Sequence, residues 1–108
     1  IKPRTPLKRI FKYLNKLDLV LIMSVEPGFG YQKFKKEALN KIKELKDKLK
    51  DNKNKCIIEV DGGINEKTIS PVCKSGADLL VIGSAIFKHK NIQKQIFKLK
   101  NIIYKSML

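Results

Sequence analysis

Short glycine-rich segments are the part of this sequence best suited to chemistry. Five of the six glycines lie in residues 25–30, 61–63 and 83–84, and each segment follows an apolar run. Glycine allows positive φ and close approach of the backbone, so such turns can direct several N–H groups at one anion. A helix beginning near Ser84 would add its amide end to the same target. A single Gly-Gly turn is more often only a tight connection, but such turns at successive strand ends favour a phosphate site, with candidate residues Gly28, Gly30, Gly62, Gly63, Gly83 and Ser84.

Asp61 is the acidic residue best placed to react. It directly follows an apolar run and precedes Gly62. At the rim of a sheet its carboxylate could act as a base, an acid or a metal ligand. Alternatively, it could accept hydrogen bonds from the amides of its own turn. The residues alone leave both readings open. Glu26, which precedes Pro27, is placed similarly, and we favour a structural role for it.

The histidine and the cysteines form no further reactive site in the sequence. His89 lies between Lys88 and Lys90, which indicates a solvated surface side chain, and the chain has no second histidine. Cys56 and Cys73 are not arranged as a CxxC pair, so we expect them to be reduced and structural. No Ser/His/Asp or Cys/His set can be assembled from the remaining residues.

The hydrophobic pattern alternates between helical and strand periods. Apolar positions at helical spacing predict a first helix from residue 7 and later helices over 34–50 and 91–105, with a further helix capped by Asn65 and ended by Gly76. Continuous apolar runs predict strands over 19–25, 56–61 and 78–83. Strands separated by amphipathic helices, and apolar on both faces, indicate an α/β protein with a parallel sheet covered by helices. Such proteins place their sites at the carboxyl ends of the strands.

Length and charge limit the range of functions. The chain has 108 residues, 43% of them hydrophobic, which is enough for one domain with a core. Its longest apolar runs are far shorter than the ~20 residues that span a bilayer, so we expect no membrane segment. The net charge is +14. Most lysines fall on the outer faces of predicted helices, so we expect weak, salt-sensitive binding of nucleic acid at most and no specific nucleic-acid partner.

Three segments together resemble the ribulose-phosphate 3-epimerase family. They are Leu-Ile-Met-Ser-Val-Glu-Pro-Gly-Phe-Gly at 21–30 with Gln-Lys-Phe at 32–34, Ile-Glu-Val-Asp-Gly-Gly-Ile at 58–64, and the run 76–87 that contains Gly-Ser-Ala-Ile-Phe. Residues 1–3 and 5–6 resemble the end of the family's fifth strand. The resemblance covers nearly the whole chain, and the first segment is its most specific part. Tyr31 departs from the pattern, because the family usually has a glycine there.

The resemblance implies an α/β fold in which residues 1–108 are a single partial domain, the C-terminal portion of a (β/α)8 TIM barrel. The chain would supply three complete βα units and a preceding helix, while the N-terminal half of the barrel is missing. The family interconverts D-ribulose 5-phosphate and D-xylulose 5-phosphate by metal-assisted proton transfer at carbon 3. A divalent metal ion is therefore implied, and the sequence does not distinguish Zn, Fe, Mn and Co.

The resemblance also implies roles for individual residues. Asp61 would be one of two catalytic aspartates and a metal ligand. The implied substrate loop consists of Gly28, Phe29 and Gly30. The implied phosphate site consists of Gly62, Gly63, Gly83 and Ser84. Met23 would line the active site.

The remaining expectations concern the complete protein. Its substrate would be a phosphorylated ketopentose, and we expect a homo-oligomer in the cytoplasm, or alternatively in a plastid. The second aspartate, two metal-binding histidines and an early serine would belong to the missing half, so the chain alone should be inactive. Two alternatives remain open: an epimerase of another phosphorylated ketose such as allulose 6-phosphate, and a non-catalytic basic remnant that binds nucleic acid weakly.

Overall fold

The computed structural model describes residues 1–28, 32–51 and 55–108. Helices and strands alternate along the chain, which confirms the α/β class. The elements are a 3-10 helix at Leu7–Lys16, β1 at Leu19–Met23, α1 at Glu37–Lys50, β2 at Ile57–Asp61, α2 at Ile69–Ser75, β3 at Leu79–Val81, α3 at Ser84–Phe87 and α4 at Ile92–Ser106.

The strands form a parallel sheet in the order β1-β2-β3. Met23, the last residue of β1, is in register with Asp61, the last residue of β2. Asp61 is in turn in register with Val81, which ends β3. All strands therefore finish in one row, and the turns that follow them meet at the same edge of the sheet.

One face of the sheet carries the hydrophobic core. Alternate strand residues point into it and pack against the helices, which explains why the strands alternate in burial although they are apolar at most positions. Each fully buried aliphatic side chain stabilises the fold by about 1.5–3 kcal/mol. The fully buried members of this core are Ile22, Ile42, Leu45, Ile58, Val60, Ile69 and Val72, with Leu99 of α4 nearly so.

The opposite face of the sheet is not covered by any helix among the described residues. Leu19, Ile57 and Leu79 are 39%, 44% and 44% exposed on this face. The sequence pattern predicted a sheet covered by helices, and within the described part of the chain the helices cover one of its two faces. The uncovered face, as we call it below, consists of Leu19, Leu21, Met23, Ile57, Glu59, Asp61, Leu79 and Val81.

The element boundaries differ from the sequence predictions by a few residues. Strand β1 stops two residues early. The Ser24 N–H still completes the ladder with the carbonyl of Asp61 at 2.9 Å, but the Ser24 carbonyl accepts from the Lys35 N–H at 2.8 Å instead of from β2. Helix α1 begins at Glu37 rather than at residue 34, and β3 ends at Val81 rather than at residue 83. The first helix is 3-10 in type and has no side-chain cap. These are differences in the ends of the elements and not in their order.

Asp78 fixes the start of β3 through both its backbone and its side chain. Its N–H donates to the carbonyl of Ile58 at 2.8 Å. Its carboxylate accepts from the Ile58 N–H at 2.9 Å. The sequence pattern assigned Asp78 to the strand itself. In the structure Asp78 precedes β3 and hydrogen-bonds to Ile58 of β2 through both its backbone and its side chain.

The first residues of the chain continue the hydrogen-bond ladder beyond β1. The Ile1 amine donates to the carbonyl of Leu21. The carbonyl of Ile1 accepts from the N–H of Met23 at 2.9 Å. These two bonds have the pattern that joins parallel strands. Across the described ranges, no helix has the length and apolarity needed to cross a bilayer.

The uncovered face predicts self-association of the isolated chain. Exposed apolar surface of this kind drives contact between copies in water. We expect the purified 108-residue chain to run as oligomers in light-scattering chromatography, and Leu79→Lys to shift it toward smaller species. Phe87→Lys is the matched control, since Phe87 is 71% exposed on α3 and lies outside the uncovered face. A monomeric wild-type chain with a cooperative thermal transition would contradict this expectation.

Candidate functional site

An open cleft of about 580 Å³ lies at the carboxyl edge of β2 and β3. The structure brings five of the predicted site residues together there: Asp61, Gly62, Gly63, Gly83 and Ser84. They reach the cleft from two neighbouring strand ends, as parallel pairing requires. The side chain of Asp61 is half-buried at the end of β2.

The other predicted residues are placed differently. Met23 is in register with Asp61 but lines a second cavity of about 200 Å³, next to residues 3–4 and the first turns of α1. Gly28 is exposed, has φ of 90° and has open space around its α-carbon. Phe29, Gly30 and the departing Tyr31 lie outside the described residues.

Glycine is required at positions 62 and 63 for two reasons. Both residues have positive φ, 127° and 66°, a conformation that side-chain-bearing residues rarely adopt. There is also no room for a side chain. A Cβ on Gly62 would lie 2.6 Å from a methyl carbon of Val25, and one on Gly63 would lie 2.8 Å from the backbone nitrogen of Phe34. The turn after Asp61 is thus packed tightly against the segment that follows β1.

Ser24 connects the ends of β1 and β2. Its side chain is fully buried. The hydroxyl lies 3.0 Å from the carbonyl oxygen of Asp61 and also contacts the carbonyl oxygen of Gly62. Sequence reasoning missed this residue. The signal was a single small polar residue inside the apolar run 19–25.

Gln32 hydrogen-bonds back to Glu26, on the other side of Pro27 in the sequence. Its side-chain amide donates to the Glu26 carbonyl at 2.6 Å and accepts from the Glu26 N–H at 3.1 Å. Gln32 also lines the cleft beside Asp61. The sequence resemblance included Gln32, but its clamping role became visible only through these two bonds. Glu26 is therefore held through its backbone, in keeping with the structural role expected for it.

Asn65 and Thr68 anchor the far side of the glycine turn. The Asn65 side chain accepts hydrogen bonds from the N–H groups of Lys67 and Thr68, at 2.8 and 3.2 Å. The Thr68 hydroxyl donates to the carbonyl of Gly63 at 2.9 Å. Asn65 was expected to cap the helix. It caps the turn that leads into α2, and the helix itself begins at Ile69.

Lys41 holds the N-terminal segment against α1 at the β1 edge of the sheet. Its ammonium donates to the carbonyls of Lys2, Pro3 and Thr5, at 3.0, 2.6 and 2.8 Å. Burial lowers the pKa of Lys41, and the nearby Glu26 carboxylate partly opposes that shift. The bonds fix one wall of the cavity that Met23 lines.

Lys88 and His89 also line the cleft, and both are exposed. The exposure of His89 confirms the sequence prediction, but its position on the cleft was not foreseen. Within the described ranges, no group of three or more His, Cys, Asp or Glu side chains is arranged to hold a metal ion. Asp61 therefore lacks, in these residues, the companions that a complete metal centre needs.

The cysteines lie apart from this chemistry. Both thiols are free and partly buried. Burial raises the pKa of Cys73, and burial with the nearby carboxylates of Asp18 and Asp78 raises the pKa of Cys56. A raised thiol pKa leaves less of the nucleophilic thiolate at neutral pH, which fits structural rather than reactive cysteines.

The fold and the cleft together define the class. This is an α/β protein that gathers glycine turns and a carboxylate at the carboxyl ends of parallel strands, where such proteins bind their ligands. Comparison with known families gives a specific assignment. The model of the ribulose-phosphate 3 epimerase family matches residues 1–87, and the chain belongs to this family.

Several curated relatives are similar over nearly all of this chain. Ribulose-phosphate 3-epimerase of Aquifex aeolicus is 43% identical over 104 residues, which is 95% of this chain and 46% of the relative. The protein of the same name from Bacillus subtilis is 45% identical over 102 residues, 93% of this chain and 46% of the relative. The Escherichia coli K12 protein is 37% identical over 103 residues, with 95% and 46% covered. The chain thus spans about half the length of the curated relatives it matches.

Gly63 and Gly83 allow a matched test of the packing around the turn. We expect Gly63→Ala to lower the free energy of unfolding, because the left-handed conformation alone costs an L-residue about 1–2 kcal/mol and the new Cβ meets the Phe34 backbone. Gly83→Ala should be nearly neutral for stability, since Gly83 has φ of −111° and open space where its Cβ would stand. Urea unfolding of the intact protein measures both. Equal losses in the two variants would contradict this account.

Proposed function

We propose that residues 1–108 form a single partial domain, the C-terminal portion of a (β/α)8 barrel of three βα units and a preceding helix. The uncovered face would then line the barrel interior, which is filled by layers of side chains from alternate strands. The in-register residues Met23, Asp61 and Val81 would lie at its carboxyl end. The N-terminal half of the barrel would cover this face.

We propose further that the complete protein is a ribulose-phosphate 3-epimerase, which interconverts D-ribulose 5-phosphate and D-xylulose 5-phosphate. One observation carries this proposal: the cleft unites a half-buried carboxylate, Asp61, with the glycine turns that can hold a phosphate. Its volume of about 580 Å³ is in the range of small-molecule sites. The names of the curated relatives support the same activity.

Asp61 would act as an acid or base at carbon 3. Removing the proton from one face of carbon 3 gives an enediolate, and returning a proton to the opposite face gives the epimer. Proton transfer needs a group within hydrogen-bond reach of the reacting atom, so a second group must face the substrate from the other side. Met23, half-buried beside Asp61 in the same row, would keep water from the reacting centre.

The phosphate would bind away from the reacting carbon. Gly62 and Gly63 would offer backbone N–H groups from the end of β2, and Gly83 and Ser84 would do so beyond β3. The substrate loop would be formed by Gly28, Phe29 and Gly30. Lys88 at the rim adds positive charge that favours a phosphorylated ligand.

The family resemblance adds a divalent metal ion, with Asp61 as one of its ligands. Since the described residues contribute no group of three ligands, the remaining ligands would come from elsewhere in the barrel. The complete enzyme would be a homo-oligomer acting in the cytoplasm, with a phosphorylated ketopentose as its substrate.

Substitution of Asp61 tests the proposed role directly. We expect Asp61→Asn in the intact protein to slow the epimerisation of ribulose 5-phosphate by about 10²–10⁴-fold, the usual contribution of a general acid or base. Asp47→Asn, which changes a carboxylate exposed on α1, is the control and should leave the rate unchanged. Epimerisation at the wild-type rate in Asp61→Asn would exclude Asp61 as the acid or base. Faster turnover of allulose 6-phosphate by the wild type would change the substrate assignment.

A second prediction concerns the chain by itself. One carboxylate cannot serve both faces of carbon 3, and the described residues form no group of three metal ligands. We therefore expect the purified 108-residue chain neither to epimerise ribulose 5-phosphate nor to show metal-dependent incorporation of deuterium from solvent at that carbon. Measurable exchange by this chain alone would overturn the requirement for the other half of the barrel.

A further inference from the structure

We propose that Ser24 is a positioning residue that orients the 61–63 turn for phosphate binding. This inference rests on the proposed function, because it assigns a role in the same site. Ser24 does not line the cleft and would touch no substrate atom. It would act through the backbone of the glycine turn.

The surroundings of Ser24 show why a hydroxyl is present there. Ser24 follows Val20 and Ile22 on the covered face of β1, and it is 0% exposed. A buried hydroxyl without a partner costs roughly 1–3 kcal/mol. Here the hydroxyl is satisfied by carbonyls at the end of β2, a sequence distance of 37–38 residues. A methyl group would fill the same space without that cost, so the hydroxyl serves the contact with the turn.

Peptide geometry transmits this contact to the cleft. In a trans peptide the carbonyl and the following N–H point in opposite directions. When Ser24 holds the Gly62 carbonyl toward the covered face, the N–H of Gly63 is directed away from that face. Asp61 and the cleft lie on that other side. The Asp61 carbonyl accepts from the Ser24 N–H at 2.9 Å. This bond orients the peptide between Asp61 and Gly62, so the N–H of Gly62 points away from Ser24.

The glycine turn needs such a constraint. Two successive glycines have more accessible backbone conformations than any other pair, and both adopt positive φ here. Ser24 holds the carbonyl of Gly62, and the Thr68 hydroxyl holds the carbonyl of Gly63 at 2.9 Å. Hydroxyls on opposite sides of the turn thus fix consecutive peptide planes. The N–H groups are oriented before the anion arrives, so binding does not have to order them.

The test compares three serine variants in the intact protein. Ser24→Ala removes the hydroxyl, and Ser24→Thr retains it. Ser75→Ala is the matched control, because the Ser75 hydroxyl bonds the Pro71 carbonyl at 2.8 Å within α2 and belongs to no site. The readouts are the affinity for inorganic phosphate, the amide ¹⁵N–¹H signal of Gly63 during that titration, KM and kcat for ribulose 5-phosphate, and Tm.

We expect Ser24→Ala to weaken phosphate binding about three- to tenfold, the factor that corresponds to one lost hydrogen bond. KM should rise while kcat changes less, and the Gly63 signal should move before any phosphate is added. Ser24→Thr should keep the phosphate affinity even where its added methyl lowers Tm. Ser75→Ala should bind as the wild type does.

The outcomes separate this inference from the proposed function. Unchanged phosphate affinity in Ser24→Ala would overturn the role of Ser24. An equal loss of phosphate affinity in Ser24→Thr, in proportion to its loss of Tm, would also overturn the role of Ser24, because packing would then explain the effect. A wild type that binds phosphate but does not epimerise ribulose 5-phosphate would refute the proposed function, and phosphate affinity would still decide the role of Ser24. A wild type that binds no phosphate would refute both.

Discussion

The in-register pairing of β2 with its neighbours is the constraint on which the site depends. Asp61 lies between Met23 and Val81 at a single level of the sheet. Side chains alternate along a strand, so a shift of one residue would send Asp61 into the core and Val60 to the cleft. The register is stabilised from the covered face, where Val60 and Ile58 are fully buried. Core packing thus determines which side of the sheet carries the carboxylate.

Much of the architecture could be predicted from the sequence because its signals are local. The run 19–25 is apolar and rich in β-branched residues, and the apolar stripe on α1 recurs at helical spacing. These patterns predicted the α/β order and the parallel sheet. The gathering of Asp61, Gly62, Gly63, Gly83 and Ser84 also followed, because parallel strands bring their carboxyl ends to one edge. The segment 21–30 is the most specific of the three segments that resemble the family, so the sequence alone indicated the family.

Features that depend on contacts between distant residues could not be predicted in this way. The Ser24 hydroxyl and its carbonyl acceptors are separated by 37–38 residues in the sequence. Hydrophobic periodicity does not predict a contact between residues so far apart. The bonds from Lys41 to the N-terminal segment are of the same kind. Strand ends were misplaced because the backbone leaves the ladder where a turn supplies better partners. The sequence indicated a sheet covered by helices but not which face they cover, because the leucines of the uncovered face are as apolar as the residues in the core.

Recognition through the main chain has an evolutionary consequence. In the proposed site the groups that the 61–63 turn would offer to an anion are peptide N–H groups, which every amino acid but proline carries. Substitution at neighbouring surface positions can therefore change charge or solubility while leaving these donors in place. The large excess of lysine in this chain, 24 basic against 10 acidic residues, is compatible with an unaltered turn for that reason. The surface of such a protein can drift with the composition of its genome, whereas the buried residues that aim its backbone cannot.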